Sequence, residues 1–300
     1  AYALRGHLGK QGAIWKVASI QGRLGQSDLS GDLLYDKSGK LALLSGKVQS
    51  KALDFDDLGP LVGVPTGASG ATTKAVVKGQ SSTAAKQVQA AGKVLPTATL
   101  DFDRLKTMNA DVWYKAIDIK NARAFPLDRF DAHINLKDGV LQLDPLDMGV
   151  AGGRLAGLIR VDANSKPVAV QARLEARTLQ LNRLFPRIER TQGSLGKLNG
   201  RIDLAGHGNS GAQVLGTSSG SVALLMGRGE ISNILLEFMG LDGGEIIKFL
   251  ARGDRNVGLR CAAAAFDVKQ GLMTSRAILL DTSDTVINGS GQISLADESL

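Results

Sequence analysis

The chain has 300 residues, of which 43% are hydrophobic and only 4% aromatic, with 37 glycines and a formal net charge of +7. A mean hydropathy of +0.00 is too polar for an integral membrane protein, and no stretch approaches the ~20 apolar residues a spanning helix needs. The single cysteine, Cys261, excludes an internal disulfide and a cysteine-based zinc site. The mild positive charge suits anionic lipid headgroups, nucleic acid or an ordinary solvated surface.

Ala1 to Gly6 reads as the interior of a strand and carries no long apolar leader. The expectation is a chain cut from a larger one. A strand-turn unit then recurs. Leu29 to Pro60 aligns without a gap with Leu155 to Pro186, with identities Leu29/Leu155, Gly31/Gly157, Asp36/Asp162, Leu53/Leu179 and Leu58/Leu184 among them. A Lys-x-Gly step precedes three Gly-centred strands: Lys10-Gln11-Gly12 before Gly31, Lys137-Asp138-Gly139 before Gly157, and Lys269-Gln270-Gly271 before Gly291. Such repeats build a stacked, quasi-one-dimensional sheet, so function is expected in a long surface.

Residues 1–61 are read as the first repeat. Val62 to Thr97 is rich in Ala, Ser, Thr, Gly and Lys without strand alternation and reads as a flexible linker or long loop, with a helical turn or two over Thr83 to Ala91. Residues 98–300 return to the β pattern. Gly139 to Leu143 opens a strand whose apolar face continues through Leu146, Met148 and Val150. Leu155, Gly157, Ile159 and Val161 share one face, and Val168, Val170, Ala172 and Leu174 alternate with polar residues beyond an Asp162 to Pro167 turn. Ala277 to Leu280, Val286 to Gly289 and Gln292 to Leu295 form the last strands of an antiparallel meander. Residues 229–254 break the pattern: Ile231, Ile234, Leu235 and Phe238, then Ile246, Ile247 and Phe249, suggest a short amphipathic helical hairpin.

Motifs for chemistry are sparse. Gly206-His207-Gly208-Asn209-Ser210-Gly211 fits G-x-G-x-x-G, but a second β-like stretch follows it, so a glycine-rich hairpin connection is expected. Asp54, Asp56 and Asp57 could ligate a hard cation. Their aligned positions are Gln180, Asn182 and Arg183, which a shared metal site would not tolerate. Asp101 and Asp103 are equally unsupported as ligands. His7, His133 and His207 lie in no metal spacing or nucleophile motif, and His133 alternates with Asp131 and Asn135 on a wet face. Basic residues are dispersed among acids without interleaved aromatics, which argues against nucleic-acid binding. No cofactor is expected. Cys261 reads as a buried structural thiol.

Asn109-Ala110-Asp111-Val112, Phe125-Pro126-Leu127, Leu136 to Leu141 and Gly152 to Gly157, in that order, resemble the C-terminal region of AsmA-like proteins. So do Leu198-Asn199-Gly200, the Gly206 to Gly220 stretch, Arg260-Cys261-Ala262 and the closing Gly289-Ser290-Gly291. The resemblance implies a Gram-negative envelope protein, anchored in the inner membrane by an N-terminal helix and exposing a curved, taco-like antiparallel β-groove to the periplasm. It further implies non-catalytic phospholipid transport between the inner and outer membranes, with acyl chains as partners. The rival expectation is a scaffold for outer-membrane protein assembly, with other envelope proteins as partners. A groove of this kind would be lined by Leu141, Leu143, Ile159, Val161, Val168, Val170 and Leu174. Alternation fixes which residues share a face, but not which face lines a groove.

Overall fold

Period-two alternation becomes one very long sheet. A computed structural model describes residues 2–54, 57, 95, 97, 99–122, 126–184, 196–232 and 256–299. Four strands come first: β1 (Tyr2–Gln11), β2 (Ile14–Leu24), β3 (Ser27–Asp36) and β4 (Leu43–Asp54). Seven follow: β5 (Asn109–Lys120), β6 (Leu127–Lys137), β7 (Val140–Val150), β8 (Gly153–Asp162), β9 (Ala169–Gln180), β10 (Lys197–His207) and β11 (Ser219–Met226). The last five are β12 (Gly229–Ser232), β13 (Asn256–Lys269), β14 (Leu272–Thr282), β15 (Val286–Gly289) and β16 (Gln292–Ser294). Two short helices, α1 (Leu181–Leu184) and α2 (Gly211–Gly216), and a 3-10 turn over Phe102–Lys106 complete the described elements.

All 16 strands belong to one sheet, in nearly sequential order from β1 to β15, and it does not close into a barrel. At ~4.8 Å per strand the sheet is about 60 Å long across its strands. Neighbours are antiparallel with one exception: β4 and β5 run parallel, with Leu43 opposite Asn109 and Leu53 opposite Ile119. The groove expected from sequence was antiparallel throughout, and this junction departs from it. Parallel neighbours cannot be joined by a hairpin, so the chain between them must return along the sheet. Part of that return is visible. Leu100 N–H donates to the Asn209 carbonyl at 2.8 Å, and Asn109 N–H donates to the Ala42 carbonyl at 2.7 Å. The segment thus crosses one end of the sheet before entering β5.

The repeat is structural. The alignment that pairs Leu29 with Leu155 superposes β1–β4 on β6–β9. Both copies carry a register shift at the same place, between Val17 and Ile20 on β2 and between Leu143 and Leu146 on β7. On the next strand Gly31 faces Ile20, and Gly157 faces Leu146. These two glycines have φ of +144° and +149°, and a Cβ there would stand 2.1 Å from the Lys47 carbonyl oxygen and 2.0 Å from that of Arg173. Bulges and glycine kinks bend a strand and increase its twist, so each repeat curls at mid-strand. The Lys-x-Gly steps are hairpin turns. Asp138/Gly139 and Gln270/Gly271 both take positive φ at the two central positions, the type I′ geometry that matches strand twist. In the third copy Gly291 is not in a strand. It interrupts the edge between β15 and β16, where Ser275 N–H donates to its carbonyl at 3.0 Å.

Two expectations need adjustment. Gly229–Ser232, assigned to a helical hairpin, forms strand β12 against β13; residues 233–254 of that reading lie outside the described residues. So does nearly all of the 62–97 linker, including the helical turn at 83–91. The Gly206 to Gly211 connection does join antiparallel strands β10 and β11. Beyond it the connection continues into α2, whose N-cap Ser210 hydroxyl accepts from Gln213 N–H at 3.2 Å.

Candidate functional site

Cross-strand register gathers the apolar positions onto one face. Leu136, Leu141, Val161 and Val170 lie in one row across β6–β9. Ile134, Leu143, Ile159, Ala172 and Leu204 make the next row. Ala132, Leu146, Gly157, Leu174, Ile202 and Val222 make a third. The rows pass through the parallel junction: Leu33, Gly46 and Val112 lead into Ile134. Glycines and alanines fill the positions where a long side chain is missing, so no charge interrupts these rows.

Six of the seven sequence-derived groove residues stand on this face within β7, β8 and β9. Val168 precedes β9 with the same parity. Leu141, Leu143, Ile159, Val170 and Leu174 are half-buried, whereas Val161 and Val168 are buried, at 8% and 7% exposure. Val168 lines a hollow of about 340 Å³ with Leu100, Phe102 and Asn209. The return segment therefore meets the apolar face at that end. Sequence reasoning stopped at three strands. The face continues through Val17, Ile20 and Leu33 on one side and Ile202, Leu224 and Phe266 on the other. The alternation that placed the seven would have placed these too.

The opposite face is polar and carries several ion pairs. Asp147 takes Arg154 at 2.7 Å and Arg129 at 3.0 Å. Burial would raise the Asp147 pKa, but the hydrogen bond from Arg154 and the charges of Arg129 and Arg154 outweigh it and hold the carboxyl below its ordinary range. Arg173 pairs with Asp203 at 3.5 Å and Arg177 with Glu175 at 3.0 Å. Such exposed pairs organise the surface more than they stabilise it.

The acidic cluster turns out to fasten a turn. The Asp57 carboxylate accepts from Gln26 N–H at 2.8 Å, Ser27 N–H at 2.9 Å and the Ser27 hydroxyl at 2.7 Å, all at the β2–β3 hairpin. Asp54 is buried and accepts from Asn121 Nδ2 at 2.8 Å. Asp101 accepts from Asp103 N–H at the start of the 3-10 turn, and Asp103 pairs with Lys106 at 3.0 Å. Among the described residues no group of three or more His, Cys, Asp or Glu side chains is placed to hold a metal ion. None of the described helices is long and apolar enough to cross a membrane.

A single open sheet with one oily and one charged face defines a repeat protein whose working element is a surface. The sequence profile of the AsmA family matches residues 3–278. The chain is also 36% identical over 291 residues to the AsmA family protein YhjG of Escherichia coli strain K12, covering 97% of this chain and 42% of that relative. It therefore belongs to the AsmA family, and it spans less than half the length of the relative. No solved structure matches it.

Proposed function

We propose that the apolar face holds lipid acyl chains and that the protein is a non-catalytic envelope component supporting phospholipid transport between inner and outer membranes. The reading rests on one observation: the apolar rows run unbroken across strand after strand, including the parallel junction. A curled sheet offers such a face as a trough. Each methylene removed from water there contributes about 0.8 kcal/mol, so a chain can be held without specific polar contacts and can slide between equivalent rows. Membership of the AsmA family supports an envelope setting. In this reading the protein works in the periplasm, tethered to the inner membrane.

The parity of β9 supplies the test. A photo-crosslinking amino acid at Ala172 captures phospholipid from labelled cells, and the same group at the neighbouring Gln171, on the polar face, captures none. Equal capture at both positions, or none at Ala172, overturns the reading. Purified protein free of lipid by native mass spectrometry would instead favour a scaffold for outer-membrane protein assembly.

A further inference from the structure

The polar face carries one feature that acyl-chain binding does not use. Trp113, on β5, points to that face and is 41% exposed. One side of its indole is covered: the His133 ring stacks on it, nearly parallel, with centroids 4.5 Å apart. His133 is itself fixed by Asp111, whose carboxylate lies 2.7 Å from Nε2. The indole is thus held in place before any ligand arrives. Across the strand on the other side, Lys47 stands opposite Trp113, as His133 does on the first side. The uncovered ring side therefore looks toward β4.

A hollow of about 370 Å³ lies there, lined by Trp113, Lys47, Gln49, Asp32, Lys115 and Asp131. That volume falls within the ~300–1,000 Å³ of small-ligand pockets. The six residues occupy two adjacent rows over four strands: Asp32, Lys47 and Trp113 in one, Gln49, Lys115 and Asp131 in the other. Elsewhere on this face Arg129, Arg154, Arg173 and Arg177 are tied to carboxylates, and within the hollow Lys115 lies 3.8 Å from Asp131. Here the Lys47 ammonium and the Gln49 amide make no side-chain hydrogen bond or ion pair among the described residues, beside a large apolar ring left wet.

We infer that this hollow is a saccharide-binding site in which a pyranose ring stacks on the free side of Trp113. The chemistry selects the class. An indole face is electron-rich and attracts weakly positive C–H groups, which a pyranose presents on its apolar side. Its hydroxyls both donate and accept. The lining offers the same mixture: a free ammonium donor at Lys47, donor and acceptor together at Gln49, the loose Lys115–Asp131 pair 3.8 Å apart, and the Asp32 carboxylate, one oxygen of which accepts from Ser19 N–H at 2.8 Å. The two lysines and two aspartates cancel in charge. A nucleotide or a lipid headgroup phosphate would meet as much repulsion as attraction, whereas a neutral polyol meets none.

Tryptophan fluorescence tests this, since the chain has two tryptophans and Trp15→Phe leaves Trp113 as the reporter. Titration with cellohexaose, maltohexaose and chitohexaose should give a saturable change with at least one. Calorimetry with that sugar should show affinity falling by about tenfold or more in Trp113→Ala. Gln49→Ala, an exposed change that leaves the indole in place, should weaken binding by about threefold. No saturable response to any of the three sugars overturns the proposal. So does unchanged affinity in a folded Trp113→Ala protein, or in Gln49→Ala should Trp113→Ala fail to fold. A response to adenosine monophosphate but to none of the sugars also overturns it, in favour of an aromatic base.

Discussion

The two copies of the repeat present the same four strands in different company. In the second copy β6 is paired on its outer side by β5, and Ile134 and Phe130 are half-buried. In the first copy β1 is the edge of the sheet, and the equivalent residues, Leu8 and Leu4, are 66% and 53% exposed. One strand inward the difference is gone: Ile20 and Leu146, which occupy equivalent positions, are both buried, at 6% and 1% exposure. Burial on the apolar face is therefore conferred by a strand's neighbours. The strand's own pattern only makes the residue eligible for it.

The largest test of this comparison falls on the kink the copies share. Gly157→Ala forces a Cβ against the Arg173 carbonyl and into a φ that side chains avoid, and should cost about 3 kcal/mol or more in chemical unfolding. Gly31→Ala should cost a similar amount. A gap between the two above about 1 kcal/mol would show that the kink is not what makes the copies equivalent.

Core truncation comes next. Leu146→Ala and Ile20→Ala should each lose about 2–5 kcal/mol, because both create buried cavities. Leu8→Ala should stay within about 0.5 kcal/mol. If Leu8→Ala cost as much as Ile20→Ala, the edge strand would be covered in solution and the contrast between the copies would vanish.

Smaller effects separate the hairpin fastenings. At the β2–β3 turn Asp57 is held by backbone and hydroxyl donors. At the β7–β8 turn the aligned residue is Arg183, 3.7 Å from Asp128, with its side chain half-exposed. Asp57→Asn should cost about 1 kcal/mol near neutral pH, and Arg183→Ala should cost less than about 0.5 kcal/mol.

The acid dependence has a definite sign. Burial raises the Asp57 pKa, but the hydrogen bonds from Ser27 and Gln26 lower it further, leaving it below 3.8. A depressed folded-state pKa gives a stabilisation fully present above the unfolded value and lost as pH falls through the folded one. Unfolding midpoints followed downward from pH 5 should drop below about pH 4. The drop should be smaller in Asp57→Asn. An identical acid limb in the variant would remove Asp57 from the account.

Much of this was legible in the chain. The alternation of Leu141, Leu143, Ile159, Val161, Val170 and Leu174 fixed strand faces, because side chains in a strand have a period of two. Lys137-Asp138-Gly139 and Lys269-Gln270-Gly271 marked the repeat in the sequence, and the structure shows them to be hairpin turns with positive φ at both central residues. The match of Gly31 with Gly157 marked the kink without revealing its purpose. At the acidic cluster the aligned Gln180, Asn182 and Arg183 showed that the carboxylates are not shared between the copies, but not that Asp57 ties the β2–β3 turn. Gly229–Ser232 was misassigned because four residues cannot distinguish a strand from a helix start by periodicity.

Alternation and repetition are local properties, so the sequence by itself determined strands, turns, the oily and charged faces, and the duplication that relates them. The tertiary structure alone decided the parallel meeting of β4 and β5, and with it the placing of Lys47 and Gln49 beside Trp113. That meeting brings together residues more than sixty positions apart. No spacing rule reaches across such a gap, because the pairing is selected by how the whole sheet buries its apolar side.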